Sequence, residues 1–256
     1  MTRTQASDRL GSCAALIISA SDSKGVLRMD RGSSIIARES EPSPAAPGLA
    51  YNGPMKRTSE VLANGTGRPW IDGDMLDMSQ PLVFTVEGVM SPEECAQTVA
   101  RIEALGPSAA PITTSRGFVH APKIRNNSRV MFDDAALAAE LFARVRPLLP
   151  DPVCRQRPVG VNERFRGYRY GPGERFAPHF DGAFRRSPTE ESQLTFMVYL
   201  DEGCIGGDTE FLDLGIRVTP RPGLALLFQH RLLHEGSEVH VGVKHVLRSD
   251  IMYSAA

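Results

Sequence analysis

His179-Phe-Asp181 is the densest piece of potential chemistry in this 256-residue sequence. On a β-strand, residues two apart share a face, so the imidazole and the carboxylate would project into one space. A third donor is at hand in His234, 53 residues past Asp181 and on a separate strand. Two histidines and one carboxylate on one face of an octahedron leave three adjacent positions open. That donor set suits ferrous iron: two open positions can chelate a 2-oxo acid and the third can take O2. A His-x-Asp pair by itself arises often by chance. His230-Arg-Leu-Leu-His234 also spells HxxxH, but it lacks the glutamate after the first histidine that a zinc peptidase helix requires. The further spare imidazoles, His120, His240 and His245, read as surface or structural groups.

A dicarboxylate held by the metal at one end would present its second carboxylate deep in the protein, where an unpaired charge is very costly. Lys244, ten residues after His234 on the last β-rich run, is a candidate counter-charge. Thr195 and Tyr199 lie four apart on one strand, hence on one face, and Tyr170 lies on another strand; their hydroxyls are candidate partners of the same carboxylate. Arg248, four residues past Lys244, would share its face and is the second candidate cation. Spacing alone leaves it equally open that Lys244 is a solvated surface charge.

Groups from distant parts of a chain need a frame. From Val159 onward, short β-prone runs alternate with turns at Gly171-Pro-Gly173, Gly206-Gly207 and Pro222-Gly223. The runs are Phe165–Tyr170, Arg175–Phe180, Leu194–Leu200, Thr209–Leu212, Ile216–Thr219, Leu224–Phe228, Glu238–Val241 and Lys244–Tyr253. About eight short strands at this spacing predict a sandwich, barrel or jelly roll rather than alternating βα units. Upstream, Leu82–Val86 reads as a strand. Ser91-Pro-Glu-Glu94 then supplies an N-cap, a proline at the first helical position and a capping-box glutamate. The helix it opens carries Cys95, Val99, Ile102 and Leu105 and stops at Gly106. A second helix is predicted from about Asp134 to Arg146, with Leu137, Leu141 and Val145 on one face and Pro147 at its end.

In this order the pieces resemble a known family. Tyr170-Gly-Pro-Gly-Glu-Arg-Phe-Ala-Pro-His179-Phe-Asp181 resembles the iron-binding strand of the prolyl 4-hydroxylase group of 2-oxoglutarate/Fe(II) oxygenases. Leu194–Leu200, Gly206-Gly-Asp-Thr-Glu-Phe211 and Pro222-Gly-Leu-Ala-Leu-Leu-Phe228 resemble later strands and turns of that group, and His234-Glu-Gly with Gly242-Val-Lys244 completes the set. The resemblance covers about residues 160–254. It implies a mainly β (α+β) protein, a double-stranded β-helix (jelly-roll) core with flanking N-terminal helices. It implies iron ligation by His179, Asp181 and His234, and a 2-oxoglutarate site made by Lys244, Tyr199, Thr195 and Tyr170, with Arg248 in reserve. The cofactor set it implies is Fe(II), 2-oxoglutarate as co-substrate and O2, with ascorbate as an accessory reductant; the products are succinate, CO2 and a hydroxylated substrate. A cupin-like metal-binding protein without oxygen chemistry is the competing reading, and it has no need of Lys244.

Composition bounds the rest. Of seventeen aromatic residues only Tyr51 falls in the first 60 positions, so core material lies downstream. Residues 1–65 are read as a poorly ordered N-terminal segment, because Glu39-Ser-Glu-Pro-Ser-Pro-Ala-Ala-Pro-Gly48 cannot bury enough apolar surface to offset its ordering entropy. Residues 66–256 form the catalytic domain in this reading. A net charge of −1 gives no case for nucleic acid or an anionic membrane. No apolar run reaches the ~20 residues that span a bilayer, and four scattered cysteines suit a reducing compartment, so a cytoplasmic location is expected. The substrate is a peptide side chain, prolyl or other, or a small acidic metabolite. Eight arginines between Pro152 and Ser187, opposed by Glu163, Glu174 and Asp181, read first as a solvated face and second as steering for an acidic substrate. Arg185 and Arg186, in a segment (Gly182–Ser192) expected to form a loop over the site, are the foremost of these.

Overall fold

The structure, a computed structural model, describes residues 57–114 and 117–255. Most of the segment expected to lack a core, residues 1–56, lies outside the described residues. Ser59–Asn64 does not fit that expectation: it is a strand paired antiparallel with Pro81–Val86, so regular structure begins before residue 66. Its side chains are largely exposed, and backbone pairing rather than burial holds it, so it carries no hydrophobic signature to read.

Eight strands then alternate between two sheets. In chain order they are Arg164–Tyr170, Phe176–His179, Glu190–Tyr199, Thr209–Phe211, Ile216–Val218, Ala225–Gln229, His234–Gly236 and Lys244–Ser254. The first, third, sixth and eighth are neighbours in a large sheet; the second, fourth, fifth and seventh form a four-stranded one. All pairings between them are antiparallel. This is the double-stranded β-helix, or jelly roll. Pro81–Val86 and Ser59–Asn64 widen the large sheet on one side, and Ser128–Asp133 on the other. That last strand, with the short ones at Ser108–Ala109, Ile112–Thr114, Gly117–Val119 and Arg157–Val161, has no counterpart among the predicted elements.

The helices occupy the expected places, Pro92–Ala104 and Ala135–Val145. Ser91 accepts from the Glu94 amide while Glu94 accepts from the Ser91 amide, which closes the capping box. Arg144 bonds both oxygens of Glu94 and so ties one helix to the other.

Because successive residues of a strand face opposite ways, the large sheet writes two interiors at once. Along Glu190–Tyr199, Leu194, Phe196 and Val198 join Ile102, Leu141 and Val145 under the helices. Thr195, Met197 and Tyr199 turn the other way, between the sheets. Along Lys244–Ser254, Leu247 and Ile251 go to the helices, while Lys244, Val246 and Arg248 line the inter-sheet cavity. A strand buried on both faces reads as a continuous apolar run, and polar residues within it stand out as groups held for a purpose.

Candidate metal and co-substrate site

His179 ends the Phe176–His179 strand and stands directly opposite His234, the first residue of His234–Gly236. Their rings are 4.3 Å apart. Asp181 follows two residues after His179, with its carboxylate 3.8 Å from His179 Nε2 and 3.6 Å from His234 Nε2. One ligand atom from each of the three lies within 4.8 Å of the others, the one such group found among the described residues. Both imidazoles bond through Nδ1 to the carbonyl two residues earlier, His179 to Ala177 (2.9 Å) and His234 to Leu232 (3.0 Å). A carbonyl only accepts, so each Nδ1 carries the proton and each Nε2 presents its lone pair. Burial pushes His179 down to about 3, helped by the neighbouring His234, and it pushes His234 down as well. Both rings are therefore neutral and ready to ligate. Phe176 stacks on His179 at 3.5 Å, and Phe228 meets His234 edge-on at 4.5 Å, so the rings cannot swing.

Asp181 is 6% exposed. Burial would raise its carboxyl, but Arg248 and the histidines outweigh that and hold it well below the usual carboxylate range. One oxygen accepts from Thr195 Oγ1 (2.7 Å) and Arg248 Nη2 (2.9 Å). Behind Thr195 the donors run in one direction. Ser192 Oγ lies 2.8 Å from His230 Nε2, and His230 Nδ1 lies 3.0 Å from Thr195 Oγ1. With Thr195 donating to the carboxylate, His230 donates to Thr195 and Ser192 donates to His230. His230 thus acts structurally, in direct support of Asp181. We predict that Thr195→Val, which keeps the shape and removes this donor, weakens metal affinity about 10- to 100-fold. Anaerobic titration with Fe(II) checks it.

The far end of the same cavity is built differently. Lys244 is 2% exposed. Its Nζ donates to the Gly207 carbonyl and lies 5.1 and 5.5 Å from the ring centroids of Tyr170 and Tyr199. Gly206 and Gly207 both have positive φ (+80° and +74°), a conformation that favours glycine and carries the chain past this ammonium. Among the described residues Lys244 forms no ion pair. Burial lowers it to about 8, while Cys204, Asp208 and Asp201 act weakly in the opposite sense. Tyr199 donates to Thr209 Oγ1 at 2.8 Å, and Thr209 lines the cavity.

Two sequence expectations change here. Thr195 was grouped with Tyr199 beside the distal carboxylate, but it sits at Asp181, at the other end. Arg248 was the reserve cation for that carboxylate and is also at Asp181. In both cases the face was right and the height was wrong: four residues along a strand advance it by roughly 13 Å. Thr209, which the sequence analysis did not single out, is the hydroxyl that stands beside Tyr199. Its signal was present in Gly-Gly-Asp-Thr, immediately after the turn that brackets Lys244.

The match to known proteins agrees with this arrangement. Residues 165–249 match the family model described as the 2OG-Fe(II) oxygenase superfamily, a span that includes the triad and Lys244. Solved structures similar to this chain include a viral collagen prolyl hydroxylase from Paramecium Bursaria Chlorella virus-1 in its 2OG complex. It is 22% identical, with 67% of this chain and 96% of that one covered and a TM-score of 0.46. A Pseudomonas putida prolyl-4-hydroxylase is 17% identical over 66% and 91% of the two chains, with a TM-score of 0.46. A Trichoplax adhaerens prolyl hydroxylase, in complex with a hypoxia inducible factor peptide fragment, is 16% identical over 66% and 82%, with a TM-score of 0.49. The stretch that is similar to the 2OG-Fe(II) oxygenase superfamily is thus the stretch that carries the candidate site. No helix among the described residues is long and apolar enough to cross a membrane.

Proposed function

We propose that His179, Asp181 and His234 hold the ferrous ion, that Lys244 with Tyr199, Thr209 and Tyr170 receives the distal carboxylate of 2-oxoglutarate, and that the chain hydroxylates a C–H group presented at the open side of the cavity. The observation that carries this reading is a buried ammonium without a counter-ion among the described residues, at one end of a cavity whose other end collects two unprotonated Nε2 atoms and a carboxylate. When bound, the metal and co-substrate supply the oxidising chemistry, in which O2 is consumed, 2-oxoglutarate becomes succinate and CO2, and one oxygen atom reaches the substrate. The protein's part is positional. The two Nδ1–H···O=C bonds fix the imidazoles, Thr195 orients Asp181, and Met197, Val246, Tyr168 and Tyr170 wall the space between the two ends. A prolyl or other peptide side chain is the first substrate class to test, supported by the sequence resemblance to the prolyl 4-hydroxylase group, with ascorbate as the accessory reductant to include. Cys95, Cys154 and Cys204 are free thiols, which supports a reducing, cytoplasmic location.

The test is anaerobic addition of 2-oxoglutarate to the Fe(II)-loaded protein. The visible charge-transfer band of a chelated 2-oxo acid is expected, followed by succinate release on admitting O2. Metal binding with no band and no succinate would leave the cupin-like reading standing instead.

Lys244 also sets a pH dependence. With its free-state value about 8, the ammonium is in place below pH 8. Binding a carboxylate raises that value, so binding takes up a proton above pH 8. Affinity for 2-oxoglutarate should be level below about pH 8 and fall by roughly tenfold per unit above it. Tyr170, raised to about 12 by burial, and Tyr199, higher still, stay neutral across this window. Cys204 is also raised by burial. Lys244→Arg should flatten the slope in a direct binding titration.

A further inference from the structure

The inner cavity opens into a second one at its mouth, and the two share Tyr168, Phe176, His179, Asp181 and Arg248. This outer cavity, about 490 Å³, is lined by Arg125, Arg129, Arg166, Arg231 and Arg248. The arginine excess noticed in the sequence is mostly spent elsewhere. Arg157 pairs with Asp151, Arg164 with Asp133, Arg169 with Glu103, and Arg155 with Asp72. Arg185 pairs with Glu191, and Arg186 with Glu163 and Glu190, so the two foremost steering candidates are neutralised. Of those eight arginines only Arg166 reaches the mouth. The remaining mouth arginines come from segments on either side of that window.

Arg125 is the unusual member. It is 5% exposed and has no carboxylate partner among the described residues. Its guanidinium is clamped between the rings of Tyr168 (4.5 Å) and Phe176 (4.3 Å). Nε donates to Asn127 Oδ1 at 2.7 Å, which fixes the plane, and the buried Nη2 has no hydrogen-bond partner. Nearby, Arg166 lies 3.2 Å and Arg248 3.5 Å from Asp250, which they share, and Arg248 also contacts Asp181. Three guanidinium groups, those of Arg125, Arg166 and Arg248, thus face two carboxylates, one of which belongs to the metal triad. The surplus is felt by Tyr168: burial pushes its phenol up, but Arg125, Arg248 and Arg166 outweigh that and bring it down to about 7. A buried, oriented and unpaired cation beside a reactive centre is expensive unless an anion completes it. A planar fork of N–H groups matches a carboxylate or phosphate.

We propose that Arg125, Arg129 and Arg166 form a docking site for an oxyanion, carboxylate or phosphate, carried by the prime substrate, and that this contact holds the substrate's C–H group over the metal. This names a substrate class within the oxygenase reading above and rests on it. The site is distinct from the Lys244 end, so anion and co-substrate bind together.

The test uses the full chain, anaerobic, with Fe(II) and saturating 2-oxoglutarate, titrated at constant ionic strength with inorganic phosphate and separately with acetate, and read by calorimetry and by the visible chelate band. Saturable binding of one equivalent with the band retained is expected, weakened at least about tenfold by Arg125→Gln and less by Arg125→Lys. Arg129→Gln, at the half-buried rim, should weaken it in the same sense and covers the case in which Arg125→Gln does not fold. Tighter phosphate binding indicates a phosphorylated substrate; acetate binding at least as tight indicates a carboxylic acid. Loss of the band as phosphate binds would assign the cluster to the co-substrate and overturn the proposal. So would a normal band with no saturable binding of either anion, which leaves the oxygenase reading intact. A wild-type protein that gives no band removes both readings.

Discussion

His234→Ala should leave a folded protein that no longer holds iron or turns over 2-oxoglutarate. Supporting groups one bond removed from a metal already cost about 10- to 100-fold when lost, and a direct ligand costs more. The loss should therefore exceed about 100-fold in Fe(II) affinity, with succinate release at background. The substitution opens space beside Phe211, Phe228 and His179, whose rings surround His234. His234→Gln, which keeps more bulk, separates loss of the ligand from loss of packing. Fe(II) binding by equilibrium dialysis is the primary measurement, with circular dichroism to establish that the fold survives. A His234→Ala protein that binds iron and releases succinate at the parent rate would exclude His234 as a ligand.

Lys244→Met is expected to act on the other end of the cavity and to leave the metal in place. Removing one member of a buried charge pair costs about 2–5 kcal/mol, which is a 2-oxoglutarate affinity weaker by about 30-fold or more. Methionine fills much of the lysine stem's volume, so the fall reports charge rather than a cavity. The two variants form a pair. His234→Ala should lose metal and co-substrate together, whereas Lys244→Met should bind Fe(II) as before and require far more 2-oxoglutarate for half-saturation of succinate release. An unchanged half-saturation in Lys244→Met would remove Lys244 as the partner of the distal carboxylate.

The outline of this protein was readable where a local rule was strong. The Ser91 capping box, the stop at Gly106 and the glycine-rich turns fixed helix and strand positions closely. His179 and Asp181, two apart on a strand, could only point the same way. What the strand period conveys, however, is which face a residue takes and not how far along the cavity it lies. That is why the sequence grouped Thr195 and Arg248 with Lys244 and Tyr199, although the structure sets them beside Asp181. Arg125 and Arg129 were invisible for a different reason. Arg125 lies just past strands of two or three residues that give no period to detect, Arg129 lies on Ser128–Asp133, a strand without a predicted counterpart, and the significance of both depends on which arginines find carboxylate partners. Those partners, Asp72, Glu103 and Asp133, sit far off in the chain. The support behind Asp181 was hidden as well, since Ser192 lies on Glu190–Tyr199 and His230 in the turn after Ala225–Gln229, and they meet only once the large sheet has formed.

The strand that closes the barrel serves two masters, its odd residues gripping the helices and its even residues furnishing the reaction chamber. Such an element tolerates exchange of side chains but not a change of count. One residue inserted just before Val246 would send Leu247 toward the chamber if the Lys244 end kept its pairing, or drive Lys244 beneath the helices if the rest of the strand kept its own. Over evolution, then, length variation should be excluded from this last strand and tolerated in the hairpin ahead of it.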